Sequence, residues 1–297
     1  MVFLARLILK GPSQAALVAA TLAILGVLFS PAIWLSAATI ALVALVKDER
    51  QALIVMFVAT VGAMLFAGLI FASPLIAVYF LLGAWFPAWI AAKVLRTVSL
   101  AASLQVIAGI SLVAIIGLYS FFPEMGEIWR EPLDLVVQQV LEQSQGELSL
   151  PVLQEIEEMA IVMIPGFLAA SVLFGTMMSL FLARWWQSVI LNPGGFATEF
   201  QALKLGKTVA MIATAIVVVA VLAGSALWYA MLLVVLALYI AQGMSILHAV
   251  FKARQLNRVW LYLIYLVMFF SPEVAAMLIL IGIADAWIDF RGRLITA

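Results

Sequence analysis

Apolar runs of 15 or more residues follow one another along the chain, separated by short polar breaks. Within the runs the polar positions are too few to mark one wet face. A helix needs about 20 apolar residues to cross a hydrocarbon core of about 30 Å. The pattern predicts spans at Ser13–Phe29, Pro31–Val46, Gln51–Phe71, Pro74–Leu95, Val98–Phe121, Ala160–Leu182, Thr208–Ala223 and Leu227–Val250. A shorter pair, Trp260–Phe270 and Glu273–Trp287, follows them. The expected fold is all-α: a polytopic transmembrane helix bundle of about 8 spans plus this short C-terminal helical pair.

Composition agrees. The chain is 67% hydrophobic and 10% charged, where a soluble domain carries about 25% charged residues. The spans follow closely, so 1–297 reads as a single integral membrane domain. There is no Cys, hence no disulfide framework and no Cys-based metal site. Arg6 and Lys10 before the apolar run from Ala15 to Phe29 imitate a secretory signal. No small-x-small cleavage site closes that run, so it is kept as the first helix.

Charge supplies sidedness. The basic residues cluster where every second run ends: Arg6/Lys10, Lys47/Arg50, Lys93/Arg96, Arg184, Lys204/Lys207, Lys252/Arg254/Arg258 and Arg291/Arg293. Arg130 is the exception, inside an acidic stretch that includes Glu127, Glu131, Asp134, Glu147, Glu157 and Glu158. With both termini cytoplasmic, every basic cluster falls inside and the acidic stretch outside, as the positive-inside rule requires. The expected location is a bacterial inner (cytoplasmic) membrane, with the lipid bilayer as the first partner. No basic-aromatic interleaving suggests nucleic acid.

Two breaks are long enough to carry structure. The extracytoplasmic insertion, about 122–159, holds Leu133, Val136, Val137, Val140 and Leu141 at helical spacing. It reads as an amphipathic helix lying on the membrane or capping the bundle, with solvated carboxylates rather than a metal site. A second helix starts near Ser149-Leu150-Pro151 and runs toward the next span, with a kink expected at Pro165-Gly166. The cytoplasmic loop, about 184–207, contains Trp185 and Trp186, then Asn192, Pro193, Gly194 and Gly195. Paired Trp anchors a span end at the interface, and Asn-Pro-Gly-Gly is a turn signal. The loop is either a tight turn between interfacial helices or a docking surface.

Candidate chemistry is sparse. His248 is the single His, and no His-Glu-x-x-His, Gly-x-Ser-x-Gly or phosphate-loop motif occurs. No cofactor, metal site or catalytic residue is expected. Asp285 and Asp289 share a helix face beside Arg291, which favours local ion pairing. Ser271-Pro272-Glu273 separates the terminal pair, which forms either two short spans or a re-entrant hairpin. In the second case Glu273 enters the membrane as a candidate proton or substrate contact. The expected substrate-binding set is Glu273, Tyr265, Trp228, Tyr229 and Gln242. Gln105 and Gln242 also suit a role as hydrogen-bonding glue between helices. Ala15, Ala19 and Ala23 form a small-residue face on the first span, suited to close approach of another helix.

Ala183-Arg184-Trp185-Trp186-Gln187, Asn192-Pro193-Gly194-Gly195-Phe196 with Glu199-Phe200, and Phe270-Ser271-Pro272 resemble the YybS-like family of uncharacterised bacterial membrane proteins. That resemblance implies a fold related to the substrate-binding S components of energy-coupling-factor transporters. Those components use a small-residue face of the first helix to meet a transmembrane coupling subunit, as the Ala15/Ala19/Ala23 face would. The chain departs by having more than six spans, an acidic insertion and no vitamin-site motif. The expected function is small-molecule binding or transport with separate energy-coupling subunits and an unknown small molecule as ligand. A non-transporting scaffold or assembly factor is the alternative, and an intramembrane enzyme using Asp285, Asp289 or Glu273 is a third.

Overall fold

The computed structural model describes residues 2–122, 124–143 and 149–292. Glu147 and Arg293 lie outside the described residues. Among those residues all regular structure is helical. A short α1 (Val2–Ile8) lies before α2 (Pro12–Leu28) and α3 (Pro31–Val46). Then come α4 (Glu49–Phe71), α5 (Ile76–Phe80), a π turn at Leu81–Trp85, α6 (Phe86–Thr97) and α7 (Leu100–Phe121). A 3-10 turn at Met125–Trp129 leads into α8 (Arg130–Gln143) and α9 (Leu150–Leu191). The chain continues with α10 (Gly195–Gln201), α11 (Gly206–Ala223), α12 (Ala226–Ala253), α13 (Val259–Phe270) and α14 (Pro272–Ile288).

Local chemistry sets many of these ends. Pro12, Pro31 and Pro272 sit in first turns, where a missing N–H costs nothing. Asp48 caps α4 by accepting from Gln51 N at 2.7 Å, and Ser99 caps α7 by accepting from Ala102 N at 3.1 Å. Gly26 abuts Ile33, so the Ser30-Pro31 joint closes as a tight hairpin.

Among the described residues, six helices are long and apolar enough to cross a membrane: α4, the α5–α6 composite Ile76–Thr97, α7, α9, α11 and α12. Counting the bent α13–α14 pair gives 7. The first two expected spans are the shorter α2 and α3, of 17 and 16 residues. All eight expected spans thus correspond to helices. α3 is the central element, packed by α2, α4, α6 and α9. Ala37, Ala38, Ala41 and Ala44 are buried there, and their size lets four neighbours approach closely.

The outer break carries the two expected helices, and the inner break is more helical than expected. α9 is one helix of 42 residues, about 63 Å long. It contains the expected second outer helix, the sixth span and the Trp pair. It continues through Pro165, while Gly166 seats against Ala230, where a Cβ would lie 2.5 Å from the Ala230 Cα. Only a turn at Asn192–Gly194, the short α10 and residues 202–205 remain of the inner loop. Gly194 takes φ +86°, a left-handed conformation open to glycine. Ser188 Oγ holds the turn by donating to Asn192 O and accepting from Phe196 N.

α8 forms within the predicted amphipathic stretch and buries none of its residues. It is tied down at its start by Arg130, which pairs with Glu127 at 2.6 Å and with Glu158 of α9 at 2.7 Å. The one basic residue outside the clusters therefore clasps the acidic segment to the long helix. The terminal pair bends by 114°. α13 has 12 residues, about 18 Å, too short to cross a 30 Å core.

Candidate functional site

The basic ends gather at one end of the bundle. Lys93 pairs with Glu49 at 2.9 Å, and Arg184 with Glu199 at 2.8 Å. Arg96 and Gln187 both donate to carbonyls at the end of α3, Ala44 O and Leu45 O. At this basic end, residues 201–205 are drawn against α12 and α14 by a buried polar cluster. Gln242 accepts from Leu205 N at 2.9 Å and donates to Gly282 O at 2.8 Å. Gln105 of α7 donates to Leu205 O at 2.9 Å.

Arg291 is the hub of the cluster. Asp285 and Arg291 are each only 4% exposed. The guanidinium pairs with Asp285 at 3.2 Å and donates to Gln201 O, Ser245 Oγ and Leu203 O. Charges in an apolar bundle are costly unless both are paired and hydrogen-bonded, and these are. Close approach of α12 and α14 makes the cluster possible. A Cβ on Gly243 would lie 2.1 Å from Leu278 O, and one on Gly282 would lie 2.7 Å from Tyr239 O. Asp289, by contrast, lies at the surface and pairs with Lys204 at 2.7 Å. That bond holds its carboxyl below the ordinary value.

Among the described residues, two cavities besides this cluster stand out by size. The first, about 630 Å³, lies between α3, the π turn and α9, reaching from Ser30 to Ser179. Trp34, Tyr79, Phe167 and Phe174 give it an aromatic wall. Trp34 and Phe174 meet edge to face at 5.7 Å. Neither the Trp34 indole N–H nor the Tyr79 hydroxyl has a partner within the described residues, and Ser30, Ser171 and Ser179 add hydroxyls to the lining. The π turn forms just before Pro87, which has no N–H for the ladder and crowds the preceding turn. Such widened turns recur at functional sites. Its Trp85 is fully buried and donates to Ser36 Oγ at 2.8 Å, and Ser36 donates to Ala19 O at 2.6 Å.

The second cavity, about 670 Å³, lies at the basic end, in the fork between the end of α12, α10 and α13. Its walls include Gln201, His248, Lys252, Arg258, Tyr262 and Tyr265. A hydrogen bond between His248 and the Tyr265 hydroxyl ties α12 to α13.

The residues expected to share a ligand are not brought together. Tyr265 belongs to the basic-end cavity. Trp228 lies 20 positions before His248 on α12, about 30 Å away along the axis, with Tyr229 beside it. Gln242 is consumed by the Leu205–Gly282 bridge, the gluing role open to an amide inside a bundle. Glu273 is exposed at the start of α14, accepts from the Ser271 hydroxyl and lines neither cavity.

The expected partner face is also corrected. Ala15, Ala19 and Ala23 are 0% exposed, covered by α3 and α4 of the same chain. Leu17 and Leu25 lie on the exposed face of α2 instead. Trp186 is fully buried, whereas Trp185 is 37% exposed. The exposed part of the inner turn is Asn192, Pro193 and Gly194, with Gly195 half-buried. The reading missed Trp34, Tyr79 and the π turn. The available signal was Gly83 and Pro87 within one expected span, a combination that disturbs a regular helix.

No curated protein and no solved structure matches the chain. A family model described as "Predicted membrane protein (DUF2232)" matches residues 7–286. That match covers nearly the whole bundle, from α1 through the bent terminal pair, and the chain belongs to this family of predicted membrane proteins.

Proposed function

We propose that the protein binds a small molecule within the membrane, in the manner of an S component, and has no catalytic role of its own. The basic end faces the cytoplasm in this reading, and the Ser30 end of the aromatic cavity faces outward. The observation that carries it is the cavity between α3, the π turn and α9. Its volume of about 630 Å³ lies within the usual range for ligand pockets, about 300–1,000 Å³. Aromatic walls with a few hydroxyl and indole groups among them suit a flat, mostly apolar molecule bearing some hydrogen-bonding groups. The chain has no phosphate-loop motif, and in this reading separate subunits supply the energy for any transport. A coupling subunit would meet a surface other than the Ala15/Ala19/Ala23 face, which the chain itself covers.

Gly83→Leu tests the assignment. A Cβ at Gly83 meets only the Tyr79 ring, at 3.7 Å, so a larger side chain extends into the cavity without displacing backbone. Protein purified from its own membranes and analysed by native mass spectrometry is expected to retain a small molecule that Gly83→Leu loses. A wild-type protein without bound small molecule, or equal retention by Gly83→Leu, overturns the reading.

The exposed Asn192–Gly194 turn favours the second reading, a membrane scaffold. Reproducible crosslinking of one non-transporter protein from Phe196 would favour it.

A further inference from the structure

We infer that the fork between α12 and α13 binds the phosphate head group of an anionic membrane lipid. Three features of the fork combine to specify that chemistry. The first is charge. Lys252 and Arg258 line the cavity, both are exposed, and no Asp or Glu lines it. Neither cation pairs with a carboxylate among the described residues. The nearby acids are already engaged: Glu199 by Arg184 and Asp289 by Lys204. The cavity therefore holds two uncompensated positive charges, with the Thr198 hydroxyl and the Gln201 and Gln255 amides beside them. Cations paired with neutral donors suit phosphate oxygens.

The second feature is the opposite wall. Leu256, Leu261 and Tyr262 continue the cavity onto α13. Every residue of α13 is apolar or aromatic, and Trp260, Leu263, Leu266 and Val267 are exposed along it. A free phosphate would satisfy the cations and leave this wall unused. A lipid satisfies both, with the head group on Lys252 and Arg258 and an acyl chain along α13.

The third feature is the shape of the fork. α13 bends away from α14 by 114°, and the His248–Tyr265 hydrogen bond joins it to α12. The fork encloses a cleft of about 670 Å³. The turn into it passes through Gln255 at φ +51°, a left-handed conformation that reverses the chain without a glycine. The site lies at the basic end, at the opposite end of α12 from Trp228. It is separate from the aromatic cavity, and its assignment stands independently of the proposed function.

The test uses the full chain in phosphatidylcholine nanodiscs with phosphatidylglycerol added in steps, read by native mass spectrometry. Separate arms offer glycerol 1-phosphate and inorganic phosphate as competitors. Wild type is expected to retain about one phosphatidylglycerol that neither soluble phosphate displaces. The Lys252→Gln/Arg258→Gln variant should lose about tenfold or more in retention, since two charge-assisted contacts disappear. Lys252→Arg should keep it. Both cations are exposed and unpaired, so the double variant should unfold at the wild-type temperature in lipid-free detergent. Lys10→Gln/Lys47→Gln, which removes two charges from the same end outside the cavity, should retain lipid as wild type does. Equal loss in that control would mean diffuse charge attraction and would overturn the site. Displacement of the lipid by either soluble phosphate would overturn the lipid assignment in favour of a free phosphate ligand.

Discussion

Asp285→Ala is the sharpest test of the bundle's internal chemistry. Asp285 and Arg291 have side chains only 1% and 5% exposed, and their ion pair measures 3.2 Å. Removing one partner of such a pair typically costs about 3–5 kcal/mol, because the remaining charge stays buried without compensation. Arg291 keeps three neutral acceptors: Gln201 O at 2.7 Å, Ser245 Oγ at 3.1 Å and Leu203 O. They spread the orphaned charge, so the low end applies, about 3 kcal/mol. Reversible unfolding in mixed micelles with rising detergent fraction, followed by tryptophan fluorescence, measures the loss. The pair is shielded from solvent, so added salt should barely change the result. The double variant Asp285→Ala/Arg291→Met removes both charges, and should recover about 1 kcal/mol or more of the single variant's loss. Amide exchange should rise first at Leu203, whose carbonyl is an Arg291 acceptor and whose backbone belongs to the 202–205 segment. A single-variant loss under about 1 kcal/mol, or a double variant worse than the single, would refute the account of a compensated buried charge.

Further outcomes follow from other contacts. Gly243→Ala places a Cβ 2.1 Å from the backbone oxygen of Leu278. It must push α12 off α14, costing about 3 kcal/mol in the same unfolding assay. Trp85→Phe removes the 2.8 Å bond to Ser36 and should cost about 1 kcal/mol. Ser36→Ala leaves the buried indole N–H without its acceptor and should cost up to about 3 kcal/mol, because an unsatisfied buried donor costs more than a lost bond. The Arg130 clasp should be pH-dependent. Its hydrogen bond lowers the Glu127 carboxyl below the ordinary 4.5. The stabilisation is then whole above the unfolded value near 4.5 and is lost as pH falls through the lower folded value. Fluorescence of Trp129, next to the clasp, should stay constant above pH 5 and change only in acid; a change between pH 6 and 8 would contradict it.

The sites show where linear reading runs short. A buried Gln242 was legible as a helix-gluing amide, but its partners, Leu205 N and Gly282 O, lie 37 and 40 positions away. The Asp285–Arg291 pairing was legible because the partners are 6 positions apart. Its anchorage to Gln201, Leu203 and Ser245 was not, since those come from α10, the following segment and α12. Glu273 and Tyr265 seemed natural companions only because they share the terminal pair. The 114° bend puts one at an exposed joint and the other against His248.

Apolar run length, proline and capping residues, and charge spacing are local properties, and they determined the helices by themselves. That is why all eight expected spans correspond to helices, and why Asp48, Ser99 and Pro31 mark helix starts. Tertiary structure decided which face of each helix meets another helix. In a soluble bundle that choice is written as an apolar stripe. In a bilayer the lipid tails are as apolar as leucine, so lipid-facing and helix-facing sides have similar composition. The Ala15/Ala19/Ala23 face could have met a partner protein, yet α3 and α4 cover it. Trp185 and Trp186 are chemically identical neighbours, and only packing buried the second and left the first at the surface.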